Sequence, residues 1–170
     1  KENEEKRVIS SMKNSADHIL SLLTNLLNFS RLDQGKESII TSEFNINKLC
    51  NELSEMFSPL AKNKHLTLVY NNELENNTFI KSDALKIKQI LSNLLSNAIK
   101  YTPNSGKIGV KISKITEGVE IIVKDNGMGI PKDDLPRVFE RFYRVDKARS
   151  RDLGGTGLGL AIAKTMVESN

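Results

Sequence analysis

The chain has no tryptophan, one cysteine, two histidines and an aromatic content of only 5%. A single thiol, Cys50, excludes a disulfide framework within one chain and excludes a thiolate zinc site. His18 and His65 leave too few nitrogen ligands for most transition-metal centres. No apolar run approaches the ~18 residues of a membrane span, and no signal-peptide pattern opens the sequence. The opening Lys-Glu-Asn-Glu-Glu reads as a cut made in a longer protein. What is present is ordinary for a folded domain: 170 residues, 38% hydrophobic and 27% charged. A chain of this size removes roughly 70% of its unfolded surface from water, enough for a true core.

An excess of basic over acidic charge is found in one place only. The net charge is +4, and residues 137–151 alone hold six basic side chains (Arg137, Arg141, Arg144, Lys147, Arg149, Arg151) against Glu140 and Asp146. A nucleic-acid binder spreads its basic groups along a face with interleaved aromatics, so no nucleic-acid partner is expected. A short cluster suits a compact polyanion such as a triphosphate. On charge alone a solvated loop is the plainer reading.

Residues 2–32 contain no glycine or proline, and Ile9, Met12, Ala16, Ile19, Leu23 and Leu26 step by threes and fours, the spacing of a bundle seam. A helix about 45 Å long with this much apolar surface needs partner helices, so a homodimer through this helix is expected. Gly35 suits the left-handed position that ends it. The remainder, 36–170, reads as a compact α/β domain. Its expected elements are a short strand near 43–46, a helix over 47–61 with Pro59 as a kink or late boundary, and strands at 65–70 and 77–80. The 47–61 helix would turn Leu49, Leu53, Met56, Phe57 and Leu60 to the core. Asp83 caps a helix to Tyr101, and 107–115 with 118–124 alternate as a hairpin. A short helix near 132–139 and a last helix to about Glu168 complete the pattern. His65 alternates with Leu66 and Leu68, which suits a structural histidine on a strand.

Three local patterns carry chemistry. On the 83–101 helix, Asn93, Asn97, Lys100 and Tyr101 share a face at i, i+4, i+7 and i+8. Mid-helix asparagines are poor helix formers, and an amide oxygen is a reasonable ligand for hydrated Mg²⁺ on phosphates, with Lys100 as a mobile point charge. A plain solvent face is the alternative. Asp125-Asn126-Gly127-Met128-Gly129-Ile130 follows a strand, where a carboxylate could accept from an exocyclic amine and glycines admit a planar group; a simple turn is the alternative. Gly154-Gly155-Thr156-Gly157-Leu158-Gly159 opens a helix, and backbone N–H groups there make an anion site. No Walker pattern follows it.

Taken in order, Asn-x-x-x-Asn-x-x-Lys-Tyr, Asp-x-Gly-x-Gly, Phe-Glu-Arg-Phe-Tyr-Arg and Gly-Gly-Thr-Gly-Leu-Gly resemble the N, first glycine, F and second glycine boxes of sensor histidine kinases of two-component systems. The resemblance implies an α+β fold, the two-layer α/β sandwich shared by histidine kinases, type II topoisomerases and chaperone ATPases, preceded by a long bundle-forming helix. Residues 1–35 would be the second helix of the dimerisation and histidine-phosphotransfer domain, and 36–170 the catalytic ATP-binding domain. The implied cofactors are ATP and Mg²⁺. Asn97 would hold the metal with Asn93 in support, while Lys100 and Tyr101 address the phosphates or ribose. Asp125 would read the adenine amine, with Gly127 and Gly129 flanking the base and Ile130 beneath it. Residues 131–155 would form a lid anchored by Phe139 and Phe142, and Arg144 and Lys100 would be the catalytic cations. Gly155, Thr156, Gly157, Leu158 and Gly159 would line the phosphates.

In hydrolysing relatives a glutamate activates water one turn before the metal-binding asparagine. Here that place is Asn93, which accepts no proton at neutral pH. The nucleophile would therefore be a histidine outside this chain, on a bundle helix it lacks, with relay to a response-regulator receiver domain. His18 lacks the acid and proline of the phosphoacceptor motif and reads as structural. The family's final strands are missing after Asn170. The resemblance also implies a cytoplasmic domain of a bacterial inner-membrane sensor. Two rivals are an anti-sigma-type serine kinase, which would lack the long helix, and a nucleotide-sensing scaffold or phosphatase.

Overall fold

In the computed structural model, the structure describes residues 39–145 and 156–168, together with Met12, Ala16, Ile19 and Leu23. Those four are helical and exposed, Met12 by 68%, in keeping with an apolar seam awaiting a partner. Strand β1 (Ser42–Asn45) leads into α1 (Ile46–Asn63), followed by β2 (Thr67–Asn72), β3 (Phe79–Ser82), α2 (Ala84–Tyr101), β4 (Lys107–Ile115), β5 (Gly118–Asp125) and α3 (Gly159–Glu168).

The strands form two sheets. In the larger one β4 is central, parallel to β2 and antiparallel to β5, with Val110 opposite Val123 and Ile112 opposite Ile121. Alternation along β4 buries Ile108, Val110 and Ile112 on one face. That face meets Ile46, Leu49, Cys50, Leu53 and Phe57 of α1 and Leu91 and Leu95 of α2. The result is the two-layer α/β sandwich expected from the sequence. The second sheet is the antiparallel β1–β3 ladder, pairing Phe44 with Ile80.

The expected Asp83 cap is met, and the structure adds one at Asn45. Asn45 Oδ1 accepts from Lys48 N at 3.1 Å, and Asp83 Oδ1 accepts from Leu85 N and Lys86 N at 3.1 Å. Burial opposes ionisation of Asp83. Hydrogen bonds from the backbone of Lys86, Ile40 and Leu85, with the Lys86 charge nearby, outweigh it and hold the carboxyl below its usual range. A depressed folded-state pKa contributes stability above the unfolded value of about 3.9 and loses it as pH falls through the folded value. Asp83→Ala is thus expected to lower unfolding free energy by about 1 kcal/mol at neutral pH. In urea titrations across pH the gap between variant and parent should narrow below pH of about 4.

Five expectations are corrected. Helix α1 runs through Pro59 to Asn63, because Pro59 lies on the exposed side, where water can satisfy the carbonyl it leaves unbonded. Its buried stripe contains Ile46, Cys50 and Ala61, while Met56 and Leu60 are about half exposed. The longer helix moves β2 and β3 two residues later. His65 is consequently not in a strand. It takes a left-handed turn (φ 54°) that closes α1, with its N–H on Lys62 O at 2.9 Å. Residues 132–139 form successive turns rather than a helix, because Pro136 has no N–H with which to continue one.

Candidate functional site

Helix α2 is the beam on which the candidate residues hang. Its Leu91, Leu95 and Ala98 are locked into the core, which sets Asn93, Asn97, Lys100 and Tyr101 on other faces. These four are partly buried and partly open to solvent. The end of α2 is fixed by Lys64 Nζ, which donates to Ile99 O and Lys100 O at 2.7 Å each, a cation against the negative end of the helix.

The 125–130 loop is pinned to that same end. Asn126 Oδ1 accepts from Lys107 N at 2.7 Å, and Met128 N donates to Tyr101 O at 3.4 Å. A Cβ on Gly127 would come within 2.6 Å of Tyr101 O and 2.8 Å of Asp125 Oδ1, so the loop can lie this close only with glycine there. Asp125 is exposed, with Oδ1 accepting from Gly127 N at 2.9 Å. Gly129 takes φ 67° with open space beside it, and Ile130 is 44% exposed. Because Tyr101 touches this loop and Asn97 stands one turn earlier on α2, the first two patterns meet at one end of the molecule.

The third pattern joins them through α3. Leu158, with Ile162 and Met166, is buried against Ile90 of α2, and Asn93 Nδ2 donates to Gly159 O at 3.3 Å. Thr156 Oγ1 accepts from Leu158 N at 3.2 Å. Gly157 takes φ 71°, and its carbonyl accepts from Phe142 N at 3.0 Å. Phe142 is itself left-handed (φ 61°). The rings of Phe139 and Phe142 are 46% and 59% exposed, so the segment is held here by backbone rather than by buried phenylalanines. Tyr143 donates its hydroxyl to Asp134, and the Arg137 guanidinium lies 4.2 Å above the Tyr143 ring.

The electrostatics single out Arg144. Its Nε and Nη2 are buried with no hydrogen-bond partner. Lys100 has its pKa lowered first by burial and then by the charge of Arg144, and its Nζ lies 5.2 Å from the Tyr101 ring centroid. The buried Arg144 guanidinium, with donors unspent and close enough for its charge to bear on Lys100, suits a polyanion. Among the described residues no cluster of three His, Cys, Asp or Glu could hold a metal. The half-buried Asn97 carries a neutral amide oxygen, a donor of the kind Mg²⁺ accepts alongside phosphates. Gly155 and His18 lie outside the described residues, as do Lys147, Arg149, Arg151 and the 146–155 part of the expected lid. The sequence reading missed Lys64, Asp134 and Tyr143; only the adjacency of Tyr143 to Arg144 hinted at a role.

Residues 82–170 match the family described as histidine kinase-, DNA gyrase B-, and HSP90-like ATPase. The chain belongs to this family. Among curated members it is 38% identical over 171 residues to the autoinducer 2 sensor kinase/phosphatase LuxQ of Vibrio cholerae, covering 98% of this chain and 20% of that protein. It is 37% identical over 166 residues to the sensor histidine kinase WalK of Bacillus subtilis, covering 96% of this chain and 27% of that protein. The chain therefore spans about a fifth to a quarter of these relatives. Among solved structures, full-length ShkA in complex with AMPPNP superposes with a TM-score of 0.80 at 30% identity, covering 98% of this chain and 34% of that one. For this ATPase domain, no helix among the described residues is long and apolar enough to cross a membrane.

Proposed function

We propose that the chain is the ATP-binding part of a sensor histidine kinase, holding Mg-ATP and delivering its γ-phosphoryl group to a histidine outside this chain. The observation that carries the reading is the buried, unpartnered Arg144 guanidinium set against Lys100. A terminal phosphate supplies the charge and the acceptors that both cations lack, and both act more strongly as charge spreads in the transition state. The family match supports the reading, and so does the nucleotide analogue in the ShkA structure.

Each residue then has a task. Asn97 offers its amide oxygen to Mg²⁺, with Asn93 holding the start of α3 beside it. Bound magnesium would neutralise phosphate charge. Tyr101 lies toward the ribose and phosphates, and Asp125 accepts from the adenine amine. Gly127 and Gly129 let backbone approach the base above Ile130. Gly155, Thr156, Gly157 and Gly159 would offer backbone N–H groups to the phosphates, while Leu158, whose N–H is held by Thr156 Oγ1, fixes the turn. Asn93 is no base, so water is not activated. An imidazole attacks the γ-phosphorus instead, as the bond to the bridging oxygen of ADP breaks.

Residues 1–35 are the second helix of the dimerisation and phosphotransfer domain, and the exposed Met12, Ile19 and Leu23 suit a homodimer. The phosphoryl group passes on to a response-regulator aspartate, on the cytoplasmic side of a bacterial inner membrane. Calorimetric titration of this chain with AMPPNP and Mg²⁺ should give saturable binding, weakened about tenfold or more by Asn97→Ala. Incubation with γ-labelled ATP should leave the chain unlabelled. Absence of AMPPNP binding would overturn the nucleotide reading, and label on His18 would overturn the placement of the acceptor.

A further inference from the structure

Arg144 is placed where its own interactions disfavour it. Two of its nitrogens are buried without partners, and Lys100, close enough to feel its charge, has the same sign. Some other contact has to hold the guanidinium there before any anion arrives. The residues just before it are tied down closely.

Tyr143 donates its hydroxyl to Asp134, nine residues earlier, and its N–H donates to Glu140 O at 3.3 Å. Arg137 lies 4.2 Å over the Tyr143 ring and reaches Glu140 through Nε and Nη2 at 3.1 Å each. One residue further back, Phe142 N is held by Gly157 O at 3.0 Å. Arg137 and Glu140 are each about half exposed, so their ion pair is a weak fastening on its own. The Tyr143–Asp134 bond is part-buried and closes the loop from within. These side-chain contacts are all made within residues 134–143 and none reaches the sandwich core, so they fix the local path of the chain without carrying the stability of the domain.

We propose that Tyr143 is a positioning residue whose hydroxyl bond to Asp134 fixes the backbone that presents Arg144 to the terminal phosphate of the nucleotide. The inference rests on the nucleotide reading above and extends it to the discrimination between triphosphate and diphosphate. A local clasp that aims one guanidinium affects only the ligand that guanidinium touches. Loss of the clasp therefore costs affinity for a γ-phosphate and spares affinity for ADP.

The test is calorimetric titration of the whole chain with AMPPNP and with ADP, both with Mg²⁺. Parent, Tyr143→Phe, Asp134→Leu and Asp134→Asn are compared, with melting temperatures taken alongside. The parent should prefer AMPPNP by about tenfold. Tyr143→Phe and Asp134→Leu should each weaken AMPPNP about tenfold and leave ADP within about twofold. Asp134→Asn, which keeps an acceptor oxygen, should retain most of the preference. Equal losses for both nucleotides, a markedly lowered melting temperature in Tyr143→Phe, or an unchanged AMPPNP affinity there would each overturn the role of Tyr143. A parent that binds neither nucleotide would overturn the underlying reading and this inference with it. A parent that binds both equally, with Tyr143→Phe doing the same, would overturn the inference alone.

Discussion

Gly157→Ala is expected to weaken AMPPNP binding by about tenfold or more while leaving the helix and strand content of the chain unchanged. Two costs coincide at this position. A residue with a Cβ held at φ 71° pays about 1–2 kcal/mol relative to glycine. The added carbon would also lie 2.8 Å from Phe142 C, 2.9 Å from Phe142 Cα and 3.0 Å from Tyr143 O. Those are main-chain atoms, so no rotamer change relieves the overlap. The relief available is for the Phe142–Gly157 bond to part, which carries Tyr143 and Arg144 away from Lys100. A shift of 1.4 kcal/mol already corresponds to about a tenfold change in affinity. The matched control is Gly109→Ala in β4, where the nearest atom is Lys124 O at 3.9 Å, an ordinary contact. That variant should bind AMPPNP as the parent does. Circular dichroism of both proteins separates a local displacement from unfolding. If Gly157→Ala binds as tightly as the parent, the junction between residues 142 and 157 has no part in holding the nucleotide.

What the sequence made legible follows the range over which each signal acts. The Asp83 cap, the alternation of β4 and the short reversal between β4 and β5 are local, and each appears where the pattern put it. The apolar period of α1 foretold a helix, yet it gave the wrong edge of the stripe. Met56 and Leu60 fit a helical face as well as Ile46 and Ala61 do, and only the position of the sheet decides between them. Pro59 is tolerated as expected, the helix running two residues further than the period suggested. The candidate site divides in the same way. Its glycines and asparagines could be named from order and spacing, but the nearness of Lys100 and Arg144 could not. They are far apart in sequence and of like charge, so no pairing rule brings them together. Within the basic cluster, nothing in composition tells which guanidinium turns inward. The Tyr143–Asp134 bond spans an irregular run with no periodicity to reveal it.

The sandwich supplies rigidity for the proposed site, whose members come from four parts of the chain. Helix α2 contributes Asn97 and Lys100, the end of β5 contributes Asp125, the turns after it contribute Arg144, and the start of α3 contributes Gly157. Helix α2 meets the 125–130 loop through Tyr101 and the start of α3 through Asn93 and Ile90. Displacement of α2 within the layer would therefore disturb these parts of the site together. Electrostatic assistance to phosphoryl transfer depends on charges already fixed before the reaction, so the core beneath α2 is a condition for the chemistry above it.

That dependence makes the core substitution the second large effect. Leu53 is 1% exposed and packs with Phe57, Leu91, Leu95, Val110 and Ile112 where α1, α2 and the sheet meet. Leu53→Ala removes buried methyl groups and leaves a cavity that two helices and a sheet cannot close without moving, a loss of about 2–5 kcal/mol. Against a total of about 5–15 kcal/mol for a domain, this is a large fraction. A loss of 3 kcal/mol corresponds to a melting temperature lower by about 6–12 °C for a chain of this length. Met56→Ala is the comparison, since it sits on the same helix only three residues on but is 47% exposed. It should change stability by no more than about 0.5 kcal/mol. Urea unfolding of the two variants measures the difference directly. Were both to destabilise equally, α1 would be turned otherwise than described, with Met56 inside, and the placement of α2 against the sheet would have to be redrawn.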